Sequence, residues 1–317
     1  MNVQLSLLPE SESPLRSKLR EGTGRLAKEG VFLGTSSWKY EGWIDLLYTR
    51  SRYTWKGRFS QKRFNDDCLA EYAETFPSVS VDASFYQFPS EKQLTSWADK
   101  VPTSFQFGFK VTEEITTPRF SALPRYGEKA GSPNNNFLNA ELFAERFLGP
   151  CEQIRDQVGI IMFQFPQMPV RDHEAFLNQL DAFFDGLPKG WKLATEIRDE
   201  ELLDDDYFNL LERRGVGHIF NSWTHMPPVA EQLKRVGDRL ADLHTGSRLL
   251  LKPGRTYANA VKKFSPYKVL RDIQEPTREA AACLIKRMKD GRTVHLYGNN
   301  RLEGCSPETL SAIIDRL

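Results

Sequence analysis

Cysteine is scarce in this sequence, and what there is does not pair. Cys68, Cys151, Cys283 and Cys305 are scattered with no C-x-x-C unit. That spacing argues against a zinc or iron–sulfur centre and for reduced, mostly structural thiols. Histidine is nearly as rare. His173 and His218 fall off the expected rim, His225 and His244 are loop residues 19 apart, and His295 is mid-strand. No tetrahedral ligand set is expected, and hence no metal and no cofactor. No strand is followed by G-x-G-x-x-G, which argues against dinucleotide binding, and the absence of G-x-S-x-G leaves a serine hydrolase of that type unsupported. No apolar run reaches membrane-spanning length, and Val3 to Leu8 is too short to export or anchor the chain. A cytoplasmic location is expected. Charge of one sign is also missing in bulk: 43 basic against 42 acidic residues leave a formal net charge of +1. Any polyanion binding must therefore come from local patches.

What is present is ample core material over 317 residues: 40% hydrophobic and 12% aromatic, with 21 Phe. Residues 1–30 are polar, mixed in charge and broken by Pro9, Pro14, Gly22 and Gly24. They read as an N-terminal extension that packs on the outside or stays mobile. From Val31 onward, short apolar segments alternate with helical spacing. The strands are expected at Val31–Trp38, Ser78–Tyr86, Phe105–Val111, Gly159–Pro166, Leu193–Asp199, Gly217–Trp223, Arg248–Lys252 and Arg292–Asn300. Helices are expected from Asn65 to Phe76, Ser90 to Lys100, Phe137 to Gln157, Asp205 to Arg214, Pro276 to Asp290 and onward from Ser306. The turn-rich stretch after the third strand, with Pro118, Pro124, Gly127, Gly131 and Pro133, suggests a functional lid. Eight βα units predict an α/β fold, a parallel eight-stranded TIM-type (β/α)₈ barrel formed by residues 31–317 as a single domain. An open doubly wound sheet is the alternative.

Several stretches carry a resemblance. Gly34-Thr35-Ser36-Ser37-Trp38-Lys39-Tyr40-Glu41-Gly42-Trp43 is followed by Leu69-Ala70-Glu71-Tyr72-Ala73 and Phe85-Tyr86-Gln87-Phe88-Pro89. Then come Phe107-Gly108-Phe109-Lys110 with Ile115-Thr116, Gln164-Phe165-Pro166, Glu196-Ile197-Arg198, and Asn299-Asn300 with Gly304. In this order, from about residue 31 to the C-terminus, they resemble the domain of unknown function 72 (DUF72, YecE-like) family. The resemblance implies a TIM-type barrel in one domain and no established reaction. The chain departs from it in two places. Ser80 and Asp82 stand where the family usually has Glu and Asn, and Ser37 replaces a glycine common before the first tryptophan. A role for that Glu does not carry over.

Strand alternation then selects the residues that point into the mouth at the strands' C-terminal ends: Asp82 and Ser84, Lys110, Gln164, Glu196 and Arg198, and Tyr297 or Asn299. A glutamate and an arginine two apart on an apolar strand are costly unless satisfied. They form either a structural ion pair or an acid–base site. Asp82, Lys110, Glu196 and Arg198 sum to zero, which suits both readings. Glu196 is the candidate general base, with Arg198 orienting it or binding substrate oxygen. Lys110 can clamp an anion, act as an acid, or form a Schiff base; nearby acids are expected to raise its pKa and so disfavour the last. Trp38 and Tyr40 could stack on a sugar or base or simply pack, and Tyr86 and Asn300 complete the candidate binding set.

Two acid-free segments supply local positive charge. Thr49–Phe64 holds Arg50, Arg52, Lys56, Arg58, Lys62 and Arg63 among aromatics, and Ser247–Arg271 holds Arg248, Lys252, Arg255, Lys262, Lys263, Lys268 and Arg271. Lys252-Pro253-Gly254-Arg255 follows strand seven, where barrels often bind phosphate, and the helix N-terminus at Ser306 offers amides to an anion. Charge runs are also commonly solvated faces. Three functions remain open. The first is a metal-independent enzyme, of isomerase, lyase or hydrolase type, acting on a small anionic, phosphorylated or sugar-like ligand. The second is a nucleic-acid-binding protein using the basic loops, and the third a non-catalytic metabolite-binding barrel.

Overall fold

The computed structural model describes residues 12–240, 242–287 and 291–317. Strands β1 (Val31–Thr35), β2 (Ser78–Val81), β3 (Gln106–Lys110), β4 (Val158–Phe165), β5 (Leu193–Ile197), β6 (Gly217–Ser222), β7 (Thr245–Leu249) and β8 (Val294–Gly298) close into one barrel. Every pairing is parallel, and β8 returns to β1 through Val31 opposite Val294. Helices surround the barrel, as in a TIM-type fold. Among the described residues, no helix is long and apolar enough to cross a membrane.

Parallel strands covered on both faces must be apolar throughout, and all eight residues of β4 are buried. The two faces divide the work. Outward-pointing Phe163 meets Phe183 with ring centroids 5.5 Å apart, and Phe165 meets Phe176 at 5.1 Å, on the helix His173–Asp185. Each such ring contributes roughly 1.5–3 kcal/mol by burial. Inward, Ile160, Met162, Ala194, Ile219 and Tyr297 form a separate cluster that fills the middle of the barrel. Tyr297 lies across that interior and its hydroxyl meets Ser78 Oγ at 3.0 Å. Gly108 is required there, since a Cβ on it would stand 2.1 Å from the Tyr297 hydroxyl. A register shift between Phe107 and Gly108 lies at the same place.

Helix α1 (Pro14–Lys28) occupies part of the stretch read as an extension. Ser13 caps it, Leu19 and Leu26 are fully buried, and it packs on β1 and the final helix Ser306–Ile314. Residues 1–11, including Val3 to Leu8, lie outside the described residues. The helix expected from Pro276 runs Glu275–Lys286, and residues 288–290 of its expected end also lie outside them. Between β3 and β4 the expected single helix is broken into short α-turns over Ala140–Phe143 and Gly149–Cys151, a π-turn over Ala144–Leu148 and a 3₁₀ turn over Glu152–Gln157.

Three strand boundaries differ from expectation in ways that matter for the site. β2 ends at Val81, and Asp82–Phe85 form a 3₁₀ turn, so Asp82 sits just past the strand. β8 spans Val294–Gly298, which puts Asn299 and Asn300 beyond its end. β7 begins at Thr245 and ends at Leu249, because Thr245, Gly246 and Ser247 pair with β8 although they are small and polar. Arg248 is therefore an interior residue of the barrel wall, and Lys252 lies three positions past the strand.

Candidate functional site

All strands run the same way, so their C-terminal ends share one face, and side chains alternating inward at the last turn of each strand converge there. Arg248 of β7 organises that layer. It is 2% exposed, yet its Nη1 donates to Glu196 Oε2 of β5 at 2.7 Å and its Nη2 to Asp82 Oδ1 after β2 at 2.6 Å. Nη1 also approaches Gln164 Oε1 of β4 at 3.4 Å, and register places Gln164 opposite Glu196. Arg198 Nε takes the other Glu196 oxygen at 3.1 Å. One fully buried carboxylate is thus held between two guanidiniums. Burial pushes its carboxyl up, but Arg248, Arg198 and Lys110 together outweigh burial and hold it at about 2.

Lys110 closes the layer from β3 and is 8% exposed. No hydrogen bond or carboxylate reaches its Nζ among the described residues, and the ammonium lies 3.5 Å over the Phe85 ring. Its backbone is anchored, since Ser84 Oγ donates to the Lys110 carbonyl at 2.6 Å and Thr112 Oγ1 to that of Ser84 at 2.8 Å. Burial, then Arg248 and Arg198, drive its pKa well below the usual lysine value, against the opposing pull of Asp82 and Glu196. The expected rise is reversed. The acids that should have raised it are already taken by arginines.

The sequence-derived residues divide into three groups. Asp82, Lys110, Gln164, Glu196 and Arg198 do come together. Asn299 stands beside them at the end of β8; its Oδ1 caps Arg301 N at 2.9 Å while its buried Nδ2 has no partner. Tyr40 is half-buried at the edge, tilted on Trp43 at 4.6 Å and edge-on to Tyr267 at 5.7 Å. Burial and Asp82 push its hydroxyl up to about 12, against the pull of Arg301. Tyr86 is exposed beneath the Arg125 guanidinium. The others have structural engagements. Trp38 is buried edge-on against Trp97, and Asn300 Oδ1 accepts Ser306 N at 2.8 Å and Ser306 Oγ at 2.9 Å. That bond occupies the amide expected to serve an anion at Ser306, which is itself buried.

Several of the rim charges are similarly engaged. Arg255 donates to Leu302 O at 2.8 Å and pairs with Asp272, which also takes Lys263 at 2.7 Å. Lys252 is exposed; the Lys263 hydrogen bond and the Arg255 charge, with a smaller part from Lys252, hold the Asp272 pKa low. Arg50 pairs with Asp45 at 2.6 Å, Arg52 with Glu74 at 2.5 Å and Lys62 with Asp66 at 2.8 Å. Acids outside the two acid-free segments pair with Arg50, Arg52, Lys62, Arg255 and Lys263 after folding.

Sequence reasoning missed the central role of Arg248, having placed it at the start of β7 within a basic run. The parity shared by Gly246 and Arg248 was the available signal. It also missed Trp223, whose ring lies 3.7 Å from the Arg198 guanidinium, and Arg301, which stacks on exposed Tyr257 at 4.7 Å. Arg198 uses only Nε within the protein; neither Nη group has a protein acceptor among the described residues. The mouth therefore presents donors without acceptors, the Arg198 fork and Lys110 Nζ, and the Asn299 Nδ2 donor is left unpartnered in the wall. Among the described residues no three His, Cys, Asp or Glu side chains are grouped to hold a metal ion.

The whole-chain comparisons agree with this architecture. No curated protein matches the chain. A DUF72 family protein from Enterococcus faecalis V583 is similar in structure, with a TM-score of 0.56 at 16% identity, covering 90% of this chain and 95% of that one. A DUF72 family protein from Thermotoga maritima MSB8 gives 0.55 at 18% identity over 89% of this chain and 96% of its own. At such identities the likeness speaks for the fold. The model of the family described as "Protein of unknown function DUF72" matches residues 32–317, and the chain belongs to that family.

Proposed function

We propose that the barrel mouth binds a small anionic ligand, phosphorylated or sugar-like, and that its side chains carry out proton transfer on it. The observation that carries this reading is the surplus of unpaired donors. Lys110 Nζ and both Nη groups of Arg198 have no protein acceptor among the described residues, in a layer that is mostly buried. Unpaired donors in such a place are costly, and an anion on Nζ and the Arg198 fork would satisfy them.

The division of labour follows from the pairing. Glu196, held at about 2, is too weak a base for efficient proton abstraction near neutrality, so it serves as the fixed pole that orients Arg198 and Arg248. Lys110 is the better proton carrier, since its depressed pKa brings it toward the working range. Arg198 and Arg248 would stabilise developing oxyanion charge, and Trp223, Tyr40 and Tyr257 give the edge aromatic faces suited to a sugar ring.

Thermal melts of the protein with inorganic phosphate, sugar phosphates and small carboxylates test this reading. Anions are expected to raise the melting temperature, and the rise to shrink in Arg198→Met. A panel without effect, or one unaffected by the substitution, removes the reading. Following a stabilising anion by NMR separates turnover from simple metabolite binding. The nucleic-acid alternative finds less support, since Arg50, Arg52, Lys62, Arg255 and Lys263 are already paired with acids.

A further inference from the structure

We propose that Lys110 is a nucleophile that captures the carbonyl carbon of a small aldehyde or keto acid, forming an iminium through Nζ. This rests on the anion-binding reading of the mouth and adds to it the chemical class of the ligand and a covalent step.

Every other charged side chain of the layer has a protein partner: Glu196 has Arg248 and Arg198, and Asp82 has Arg248. Lys110 alone among these five has none. A lysine kept only to balance charge would be expected on one of the two carboxylates, yet the arginines occupy both. The ring face of Phe85 supports Nζ at 3.5 Å, but it cannot accept a proton and leaves the amine open to a third party. The backbone bonds from Ser84 and Thr112 fix where the side chain starts. Burial and two neighbouring guanidiniums favour the neutral amine, the form that has a lone pair to donate.

The donors around Nζ match the rest of such a substrate. A carboxylate or phosphate attached to the carbonyl fragment can take the free Nη groups of Arg198. The nitrogen lone pair forms the N–C bond as the C=O π pair moves onto oxygen, and a proton passes from nitrogen to that oxygen to give a carbinolamine. Protonation of its hydroxyl and departure of water leave the iminium. Overall, a neutral amine, a carbonyl and one proton give an iminium and one water. Asp82 is the group placed to relay those protons: one oxygen is held by Arg248, and its side chain is 32% exposed.

Borohydride trapping tests this. The full chain is incubated separately with glyoxylate, pyruvate, glycolaldehyde and glyceraldehyde 3-phosphate, reduced with sodium borohydride, and mapped by peptide mass spectrometry. Lys62, exposed on the helix Gln61–Ala73, is the internal reference. At least one probe is expected to label Lys110 at least tenfold over Lys62. The Lys110 adduct should be lost in Lys110→Arg and suppressed in the unmutated protein by inorganic phosphate, which has no carbonyl. Labelling of Lys110 no greater than that of Lys62 with all four probes overturns the proposal. If anions still stabilise the protein in that case, only the covalent step falls; if they do not, the anion reading falls with it.

Discussion

Arg248 and Glu196 stand on strands separated by a third, and Arg248 Nη1 lies 2.7 Å from Glu196 Oε2 inside the closed barrel. The same guanidinium reaches Asp82 on the other side, so one side chain ties three sectors of the wall together. Arg248→Met would leave Glu196 with Arg198 alone and Asp82 without its partner. A loss of about 3–5 kcal/mol is expected by chemical denaturation, because a buried charge is left uncompensated. Combining it with Glu196→Gln should recover part of that loss; strict additivity would contradict the coupling.

Lys110 should behave oppositely. An amine without a partner in a dry layer costs folding free energy, so Lys110→Met is expected to raise the melting temperature at neutral pH. The sign follows from linkage. The unfolded chain holds the lysine proton up to about pH 10.4 while the folded protein releases it earlier, so the unfolded state binds more protons. Stability from this group therefore rises with pH in that window, by at most about 1.4 kcal/mol per unit. Denaturation midpoints at several pH values from neutral to alkaline measure the slope, which should be smaller in the Met variant, where Lys192, also held low by burial, still contributes.

Acid should destabilise the protein in two stages. Burial holds His218 at about 3, so it stays neutral in the fold while the unfolded chain protonates near pH 6.5, and stability begins to fall below that pH. Glu196 acts later. With its folded pKa at about 2 against an ordinary 4.5, its contribution is complete above 4.5 and is lost as pH drops toward 2, on the order of 3 kcal/mol. Urea midpoints from pH 7 to pH 3 resolve the stages. His218→Phe should shrink the upper stage without removing it, because burial also holds His244 and His295 below the usual histidine value.

Gly108→Ala probes how tightly the interior is filled. Its Cβ would meet the Tyr297 hydroxyl at 2.1 Å and ring atoms at 2.6 and 2.9 Å. Tyr297 is fully buried and bonded to Ser78, so it cannot yield freely. A destabilisation of about 1–3 kcal/mol is expected in a thermal or urea melt. An unchanged midpoint would mean that the barrel interior is looser than its packing indicates.

Which residues face the barrel interior was legible in the sequence, because alternation along a strand is a local property. Phe107-Gly108-Phe109-Lys110 and Ala194-Thr195-Glu196 show it directly, and the eight βα units follow from the same periodicity. Ends of strands were less legible. Thr245-Gly246-Ser247 is poor in β-forming apolar residues, and only pairing with β6 and β8 makes it a strand. That single boundary hid Arg248.

Alternation and chain order alone carry the strand count, the parity of Lys110, Glu196 and Arg198, and the membership of Asp82 and Gln164 in the mouth layer. Which charge meets which is set by folding. Arg248 finds Glu196 from 52 positions away and Asp82 from 166, distances over which no periodicity carries information. Barrel closure sets those encounters, and they leave Glu196 pinned and Lys110 without a partner. The acid-free segments changed meaning for the same reason: the carboxylates that neutralise Arg52 and Arg255 lie outside them and are met only after folding.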